Sequence, residues 1–123
     1  MGHGVDGRSS PAKLDLAAAK SVATTLQALS TPSRLLILGR LRENPATVGE
    51  IVAAVGMERS AVSHQLRLLR NLGLVDAERH GRSILYSLYD SHVAQLLDEA
   101  VYHAEHLRLA APDRAQDHSV ASP

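Results

Sequence analysis

The amino-acid sequence predicts a mainly α-helical protein with one small β-hairpin. Of its 123 residues, 45% are hydrophobic and only 2% are aromatic. The core must therefore consist of Ala, Leu, Val and Ile, which suit packed helices better than an aromatic-rich sandwich. Apolar residues recur at helical spacing along most of the chain, and they alternate in one stretch after residue 75. At this length we expect a single domain.

Two helices are predicted in the first third of the chain. The first extends from Lys13 to Leu29 and has apolar residues at helical spacing. These residues are Leu14, Ala18, Val22, Leu26 and Leu29. Thr31 suits an N-cap and Pro32 the first helical position, where its missing N–H costs nothing. We expect this second helix to end before Asn44.

Two shorter helices follow, joined by a turn that contains Gly56. Thr47 and Glu50 have the spacing of a capping box, which predicts a helix from Val48 to Val55. The next run, ERSAVSHQLRLLRNLGL, is amphipathic, and Gly73 is placed to cap its end. Its predicted buried face consists of Ala61, Val62, Leu66, Leu69 and Leu72.

The helical period stops in residues 75–89, where Ile84, Tyr86 and Leu88 alternate with more polar neighbours after the turn residues His80 and Gly81. This pattern predicts a β-hairpin. A last helix is expected from Asp90 or Ser91 to about Leu109. The flanking residues 1–12 and 111–123 are rich in Gly, Ser, Pro and charge, so we expect two flexible tails around a domain of residues 13–110.

The charge is balanced overall but not locally. The chain has 13 basic and 13 acidic residues, yet residues 57–82 hold five basic and three acidic ones, and residues 83–123 hold two and six. Polyanion binding requires local cationic density rather than a basic whole protein. Charge alone would equally fit an ordinary solvated surface.

Composition also excludes several classes of function. The chain has no Cys, so disulfides, thiolate nucleophiles and thiolate metal sites are excluded, and any metal must be bound by His, Asp or Glu. No apolar stretch approaches the ~20 residues that span a bilayer, and the start lacks a signal peptide. We expect a cytoplasmic protein without a membrane partner. A short chain without an HExxH motif is not expected to be an enzyme or to bind an organic substrate, although a small metal-binding or hydrolytic protein is an alternative.

Two short helices joined by a Gly-containing turn and followed by a basic hairpin describe a winged helix-turn-helix. Its second helix fits the major groove of double-stranded DNA, where Gln65 and Arg67 are the candidates for reading base edges. The other candidates contact phosphates or, at the hairpin tip, the minor groove. They are Arg59, Ser60, Ser63, His64, Arg70, Arg79 and Arg82.

The run SAVSHQLRLLRNLGLV, continued by the hairpin ERHGRSILYSL, resembles the ArsR/SmtB family of bacterial metal-responsive repressors. The resemblance covers about residues 16–107. It implies a homodimer, held by the N- and C-terminal helices, that binds an imperfect inverted repeat in operator DNA and releases it on binding a metal or another inducer. The helix from Val48 to Val55 lacks the Cys box of the arsenic- and cadmium-type members, so induction through thiolates is excluded.

Three histidines lie along one edge of an apolar stripe on the last helix. An α-helix rotates by about 100° per residue, and with this rotation His92, His103 and His106 flank the stripe on the same side. The stripe consists of Val93, Leu96, Leu97, Ala100, Val101, Ala104 and Leu107. Along the axis His92 and His103 are about 16 Å apart, whereas metal–nitrogen bonds are about 2 Å long. One helix therefore cannot close a metal site.

A second copy of the helix, lying antiparallel, would bring these residues together. One crossing point at about residue 98 pairs residue 93 with 104 and 97 with 100, and it also pairs His92 with His103 and Asp90 with His106. We expect two metal sites per dimer, each formed by Asp90 and His92 of one protomer and His103 and His106 of the other. These four residues match the ligand positions of family members with N/O-type sites. Histidines beside an interface are also commonly structural, and Asp90 also suits a helix N-cap.

The identity of the metal is left open by these four donors. Imidazole and carboxylate suit Zn, Ni and Co; four donors complete tetrahedral Zn(II), whereas octahedral Ni(II) or Co(II) needs more. After removal of Met1, the free amine of Gly2 and the imidazole of His3 could supply them, and His118 is a further candidate. The MGHGV start and the Tyr-Asp-x-His…His-x-x-His helix resemble nickel- and cobalt-sensing members of the family, which implies Ni(II) or Co(II) as effector and metal-efflux genes as targets. A zinc-responsive repressor of the same fold is the alternative.

Overall fold

The computed structural model describes residues 13–110, which form five helices and one antiparallel hairpin. The elements in chain order are α1 (Leu16–Ala28), α2 (Pro32–Glu43), α3 (Val48–Val55), α4 (Arg59–Asn71), β1 (Val75–His80), β2 (Ser83–Leu88) and α5 (Ser91–Leu109). The predicted fold class, mainly helical with a small hairpin, is confirmed. The two predicted tails lie outside the described residues.

Local capping sets most helix ends where the sequence predicts them. The Thr31 hydroxyl caps α2, and Thr47 and Glu50 form both hydrogen bonds of the capping box at the start of α3. Gly56, with φ 73°, ends α3, and Gly73, with φ 77°, follows α4. These positive φ angles favour glycine because it lacks the Cβ that would clash there. The caps fix the short turn between α3 and α4.

The first helix differs from its prediction at its start and in its burial. It begins at Leu16 rather than Lys13 because the Asp15 carboxylate accepts a hydrogen bond from the backbone N–H of Ala18 at 2.8 Å. Of its 13 residues only Ala28 is buried. The large apolar side chains Leu16, Val22 and Leu26 of the helix, and Leu14 just before it, are 44–72% exposed. Helical spacing predicted the helix correctly, but nothing in the described residues covers its apolar face.

The core lies where α2, α3, α4 and the start of α5 meet the hairpin. Its most deeply buried large side chains are Ile37, Leu38, Ile51, Val62, Leu66, Leu69 and Val75. The hairpin pairs Val75 with Leu88 and His80 with Ser83 around the turn. Tyr86 anchors it to the loop before α3, because the backbones of Tyr86 and Ala46 exchange two N–H···O bonds of 2.8 and 2.9 Å. The hairpin is thus fixed against the helix-turn-helix as a wing.

The apolar stripe of α5 is divided between two environments. Val93 and Leu97 are each 6% exposed because they pack into the core of their own protomer. Every residue of α5 from Asp98 onward is exposed. The expectation that Val93 and Leu97 pair with a second copy is therefore wrong, since these side chains are already covered.

An ion pair also fixes the middle of α5 to α2. The Arg42 guanidinium donates two hydrogen bonds to the Asp98 carboxylate, at 2.9 and 2.8 Å. These hydrogen bonds lower the pKa of Asp98 below its usual value and raise that of Arg42. Both side chains are about half exposed, so the pair orients α5 more than it stabilises the fold.

Candidate DNA-binding surface and metal-ligating residues

The polar candidates on α4 lie on the side of the helix that faces away from the core. Val62, Leu66 and Leu69 hold the opposite side in the core. This packing follows from the amphipathic spacing of the run and leaves the polar side free to enter a groove. The residues exposed on it are Arg59, Ser60, His64, Arg67 and Arg70, and Ser63 is half-buried beside them.

The wing adds cationic side chains next to this surface. Arg79 and Arg82 are exposed at the tip, where the Arg79 guanidinium donates to the Gly81 carbonyl at 3.4 Å. Arg59 and Arg82 line one cleft, between the start of α3 and the wing. Ser63, Arg67, Arg70 and Asn71 line a second cleft, between α4 and the wing. Four of the five predicted arginines therefore line two clefts that both border α4, and Arg79 lies at the wing tip outside them.

Tyr86 lines both clefts, and the sequence analysis missed it as a candidate. Its side chain is half-buried at the junction of α4 and the wing. Strand alternation assigned it only to the apolar pattern of the hairpin. The sequence feature that could have identified Tyr86 is its hydroxyl. A tyrosine near a basic hairpin tip can hydrogen-bond to a phosphate while its ring packs on the core.

Gln65 stands apart from the other α4 candidates. It is half-buried, and its side-chain oxygen accepts a hydrogen bond from Nε of Arg34 at 2.9 Å. Bidentate recognition of adenine uses both the oxygen and the nitrogen of a glutamine amide. In this arrangement one acceptor site of the oxygen is occupied and the amide is oriented toward Arg34, so that pairing would require Gln65 to share the oxygen or to leave Arg34. Arg34 itself was not among the predicted residues.

Asp90 and His92 lie together at the start of α5. One Asp90 oxygen accepts from the backbone N–H groups of His92 and Val93, at 3.0 and 3.3 Å, so Asp90 is the N-cap. The other oxygen lies 3.4 Å from Nδ1 of His92. Desolvation acts to raise the pKa of Asp90, but the hydrogen bonds from His92 and Val93 together outweigh it and lower that pKa below its usual value. The carboxylate is therefore charged and already oriented beside an imidazole.

His103 and His106 lie on the exposed second half of α5. The helix is continuous from Ser91 to Leu109, so its rise places His103 about 16 Å from His92. Among residues 13–110, no three His, Asp or Glu side chains come close enough to hold one metal ion. Glu99 lines a groove with His92 and Leu96, where it could orient a ligand. Gly2, His3 and His118 lie outside the described residues.

These donors suit a borderline metal ion chemically, but in residues 13–110 of one chain they do not come together. Exposed imidazole and carboxylate groups are the ligands that Zn, Ni and Co accept, and they need no thiolate. One chain offers them in two separate groups, Asp90 with His92 and His103 with His106. Within residues 13–110, these four donors can meet at one ion only if a second chain supplies the missing group.

Comparison with known proteins places the chain in a family. A profile of the ArsR family of bacterial regulatory proteins matches residues 31–77. The HTH-type transcriptional regulator NmtR of Mycobacterium tuberculosis is 67% identical over 115 residues, which are 93% of this chain and 96% of that protein. The chain belongs to the ArsR family. It is a helix-turn-helix transcriptional regulator and not an enzyme, and this membership is evidence against the hydrolytic alternative.

Solved structures of other ArsR-type proteins agree with the fold described above. The solution structure of apo-NmtR aligns with a TM-score of 0.69 at 68% identity, over 88% of this chain and 92% of the other. A homodimeric winged helix-turn-helix DNA-binding domain from Mycobacterium bovis aligns with a TM-score of 0.68 at 32% identity, over 78% of this chain and 91% of the other. No helix within residues 13–110 of this ArsR protein is long and apolar enough to cross a membrane.

We expect Arg67→Ala to weaken binding to the operator by about 1–3 kcal/mol, the range for losing a specific contact to a base. Arg67 is exposed near the middle of α4 and lines the cleft beside the wing. Fluorescence anisotropy with DNA from the upstream intergenic region measures the change, and Arg108→Ala on the exposed end of α5 is the matched control. A loss that is largest at one operator position indicates base reading. Equal affinity of Arg67→Ala and wild type would contradict a role for this face.

Proposed function

We propose that the protein is a homodimeric repressor that binds operator DNA through α4 and the wing and releases it when Ni(II) or Co(II) binds between two copies of α5. Release would allow transcription of metal-efflux genes. One observation carries the proposal: α5 presents a carboxylate and three imidazoles on exposed surface, in two groups too far apart to act within one chain. Like other operator-binding regulators, it would act in the cytoplasm.

Exposed apolar surface at both ends of the domain supports a dimer. The leucines and valine of α1 and the second half of α5 include most of the large apolar side chains that the described residues leave exposed, and Leu35 and Leu36 of α2 are exposed as well. Contiguous exposed apolar surface is unusual on monomers and marks an interface. A second copy is the simplest cover, and the homodimeric relative from M. bovis supports it.

The burial of Val93 and Leu97 determines which edge of α5 faces the partner. With these two residues turned into the protomer, the neighbouring edge carries Leu96, Ala100, His103 and Leu107 within about 60° of the helical wheel. An antiparallel copy that crosses at about Asp98 places Leu96 against Ala100 of the partner subunit. The same crossing places Tyr89, which is 58% exposed, near Leu107 of the partner subunit.

That crossing also assembles the metal-binding groups. His92 faces His103 of the partner subunit, and Asp90 faces His106 of the partner subunit, twice per dimer. The apolar contacts and the proposed metal ligands thus require the same register between the two copies of α5. When bound, a metal ion would supply the cross-link that holds this register. For operator affinity to fall, the ligands must be better placed in the free dimer than in the DNA-bound one, because only differential binding shifts an equilibrium.

Adding Ni(II) or Co(II) to the wild-type dimer should lower its operator affinity by roughly 5- to 150-fold, the usual range of allosteric coupling. His103→Gln should bind the operator like the metal-free wild type and lose most of this response, because it removes one imidazole from each site. Glu105→Gln, an exposed change on the same helix, is the matched control and should respond normally. Gel shifts with and without metal measure both effects. Operator binding that is unchanged by Ni(II), Co(II) and Zn(II) would exclude metal regulation.

A zinc-responsive repressor of the same fold is the second candidate, since three imidazoles and one carboxylate satisfy tetrahedral Zn(II) without further donors. Replacing His3 distinguishes the two. Under the nickel or cobalt proposal, His3→Gln weakens the response to those metals because a six-coordinate ion loses a donor. Under the zinc proposal, the same variant keeps its full response.

A further inference from the structure

Arg34 ties three helices together beneath the DNA-binding surface. Its Nε donates to the side-chain oxygen of Gln65 in α4 at 2.9 Å, and its Nη1 lies 3.4 Å from the carbonyl oxygen of Ala28, the last residue of α1. The backbone N–H of Arg34 donates to the Thr31 hydroxyl that caps α2. The backbone of Arg34 is therefore held at the start of α2, and its guanidinium contacts both α1 and α4.

We propose that Gln65 is a positioning residue, which acts through Arg34 to hold α4 in place, and that base reading falls to its exposed neighbours on α4. The contact orients the Gln65 amide, and its single oxygen is engaged by Arg34. To pair with adenine through both amide atoms, Gln65 would have to share this oxygen with Arg34 or turn away from it. The half-buried position of Gln65, compared with the exposed positions of His64 and Arg67, agrees with this role.

Because Gln65 is neutral, it also leaves the positive charge of Arg34 uncompensated beneath α4. Among residues 13–110, the close contacts between basic and acidic side chains are Arg42 with Asp98, His80 with Glu78 and His92 with Asp90, and none involves Arg34. A neutral acceptor satisfies the guanidinium without cancelling its charge. Arg34 thus keeps a positive charge behind α4, which adds to the field that attracts DNA.

The same contact connects α4 to the proposed dimer interface. Ala28 is 2% exposed at the end of α1, the helix whose apolar face is otherwise uncovered. A change in how α1 packs on a partner would move the carbonyl that Arg34 contacts. This connection rests on the proposed function, whereas the positioning role requires only operator binding.

A double-mutant cycle tests the assignment. Gln65→Ala and Arg34→Lys should each weaken operator binding by on the order of tenfold, and the double variant should be no weaker than either, because both remove one shared contact. Discrimination between the operator and versions with single base changes should stay at the wild-type level. Arg40→Lys, a change in the same helix, is the matched control. If Gln65→Ala instead abolishes discrimination at one base pair while Arg34→Lys does not, and their losses add, then Gln65 reads a base and the proposal is overturned.

If a variant fails to fold, the contact between Arg34 and Gln65 can still be tested by NMR of the wild-type protein. The Nε–H of Arg34 should exchange with water much more slowly than that of the exposed Arg108, both free and on the operator. Equal exchange rates for the two side chains would overturn the contact. A wild-type protein that binds no DNA but protects the Arg34 Nε–H would refute the proposed function and leave the contact standing.

Discussion

The length of α5 determines which of the proposed metal ligands can bind the same ion. An α-helix rises about 1.5 Å per residue, so side chains eleven positions apart cannot bind one ion however they rotate. Asp90 and His92 stand at one end of this helix, and His103 and His106 stand near the other. Within residues 13–110, the four proposed ligands therefore form two separate groups rather than one site. A second chain in the opposite direction is the arrangement that unites them with the fewest additional assumptions.

The two halves also differ in how firmly they are held. The first half of α5 is fixed to its protomer by the buried Val93 and Leu97 and by the Arg42–Asp98 ion pair. The second half extends away from the core with every side chain exposed. A ligand that joins the fixed half of one protomer to the free half of another would act on the relative placement of the two domains. That placement decides whether both α4 helices can meet successive major grooves.

Much of the fold could be predicted because its determinants are local. The capping box of Thr47 and Glu50, the glycines after α3 and α4, and the change from helical to alternating spacing each operate within a few residues of sequence. Asp15 is also a local cap, and it was missed because a run of favourable helical residues extends to Lys13. The polar face of α4 was predicted correctly, and so were Val62, Leu66 and Leu69 on its buried face. Leu72 was wrongly expected to be buried: it follows the last residue of α4 and is 41% exposed.

The remaining features depend on contacts between distant residues. Gln65 and Arg34 are 31 positions apart, and no spacing rule indicates that one binds the other. A helical wheel shows that Val93, Leu97 and Leu107 share one side of α5, but it cannot show that the first two meet their own core while the third remains uncovered. Tyr86 borders both clefts beside α4, and its backbone pairs with that of Ala46, which is 40 positions away in the sequence. These features require knowledge of which surfaces meet.

The central claim is that each metal site takes ligands from two chains, and mixing two defective variants tests it most directly. Homodimers of His92→Ala and of His103→Ala should each lack an intact site. Exchanged into heterodimers, the His103→Ala chain supplies Asp90 and His92 while the His92→Ala chain supplies His103 and His106, which restores one complete site. Cobalt titration of an equal mixture, followed by d–d absorption, should then recover about one quarter of the wild-type sites, given random pairing in a twofold dimer. If the mixture binds no more cobalt than the separate variants, the ligands do not come from two antiparallel chains and the account is wrong.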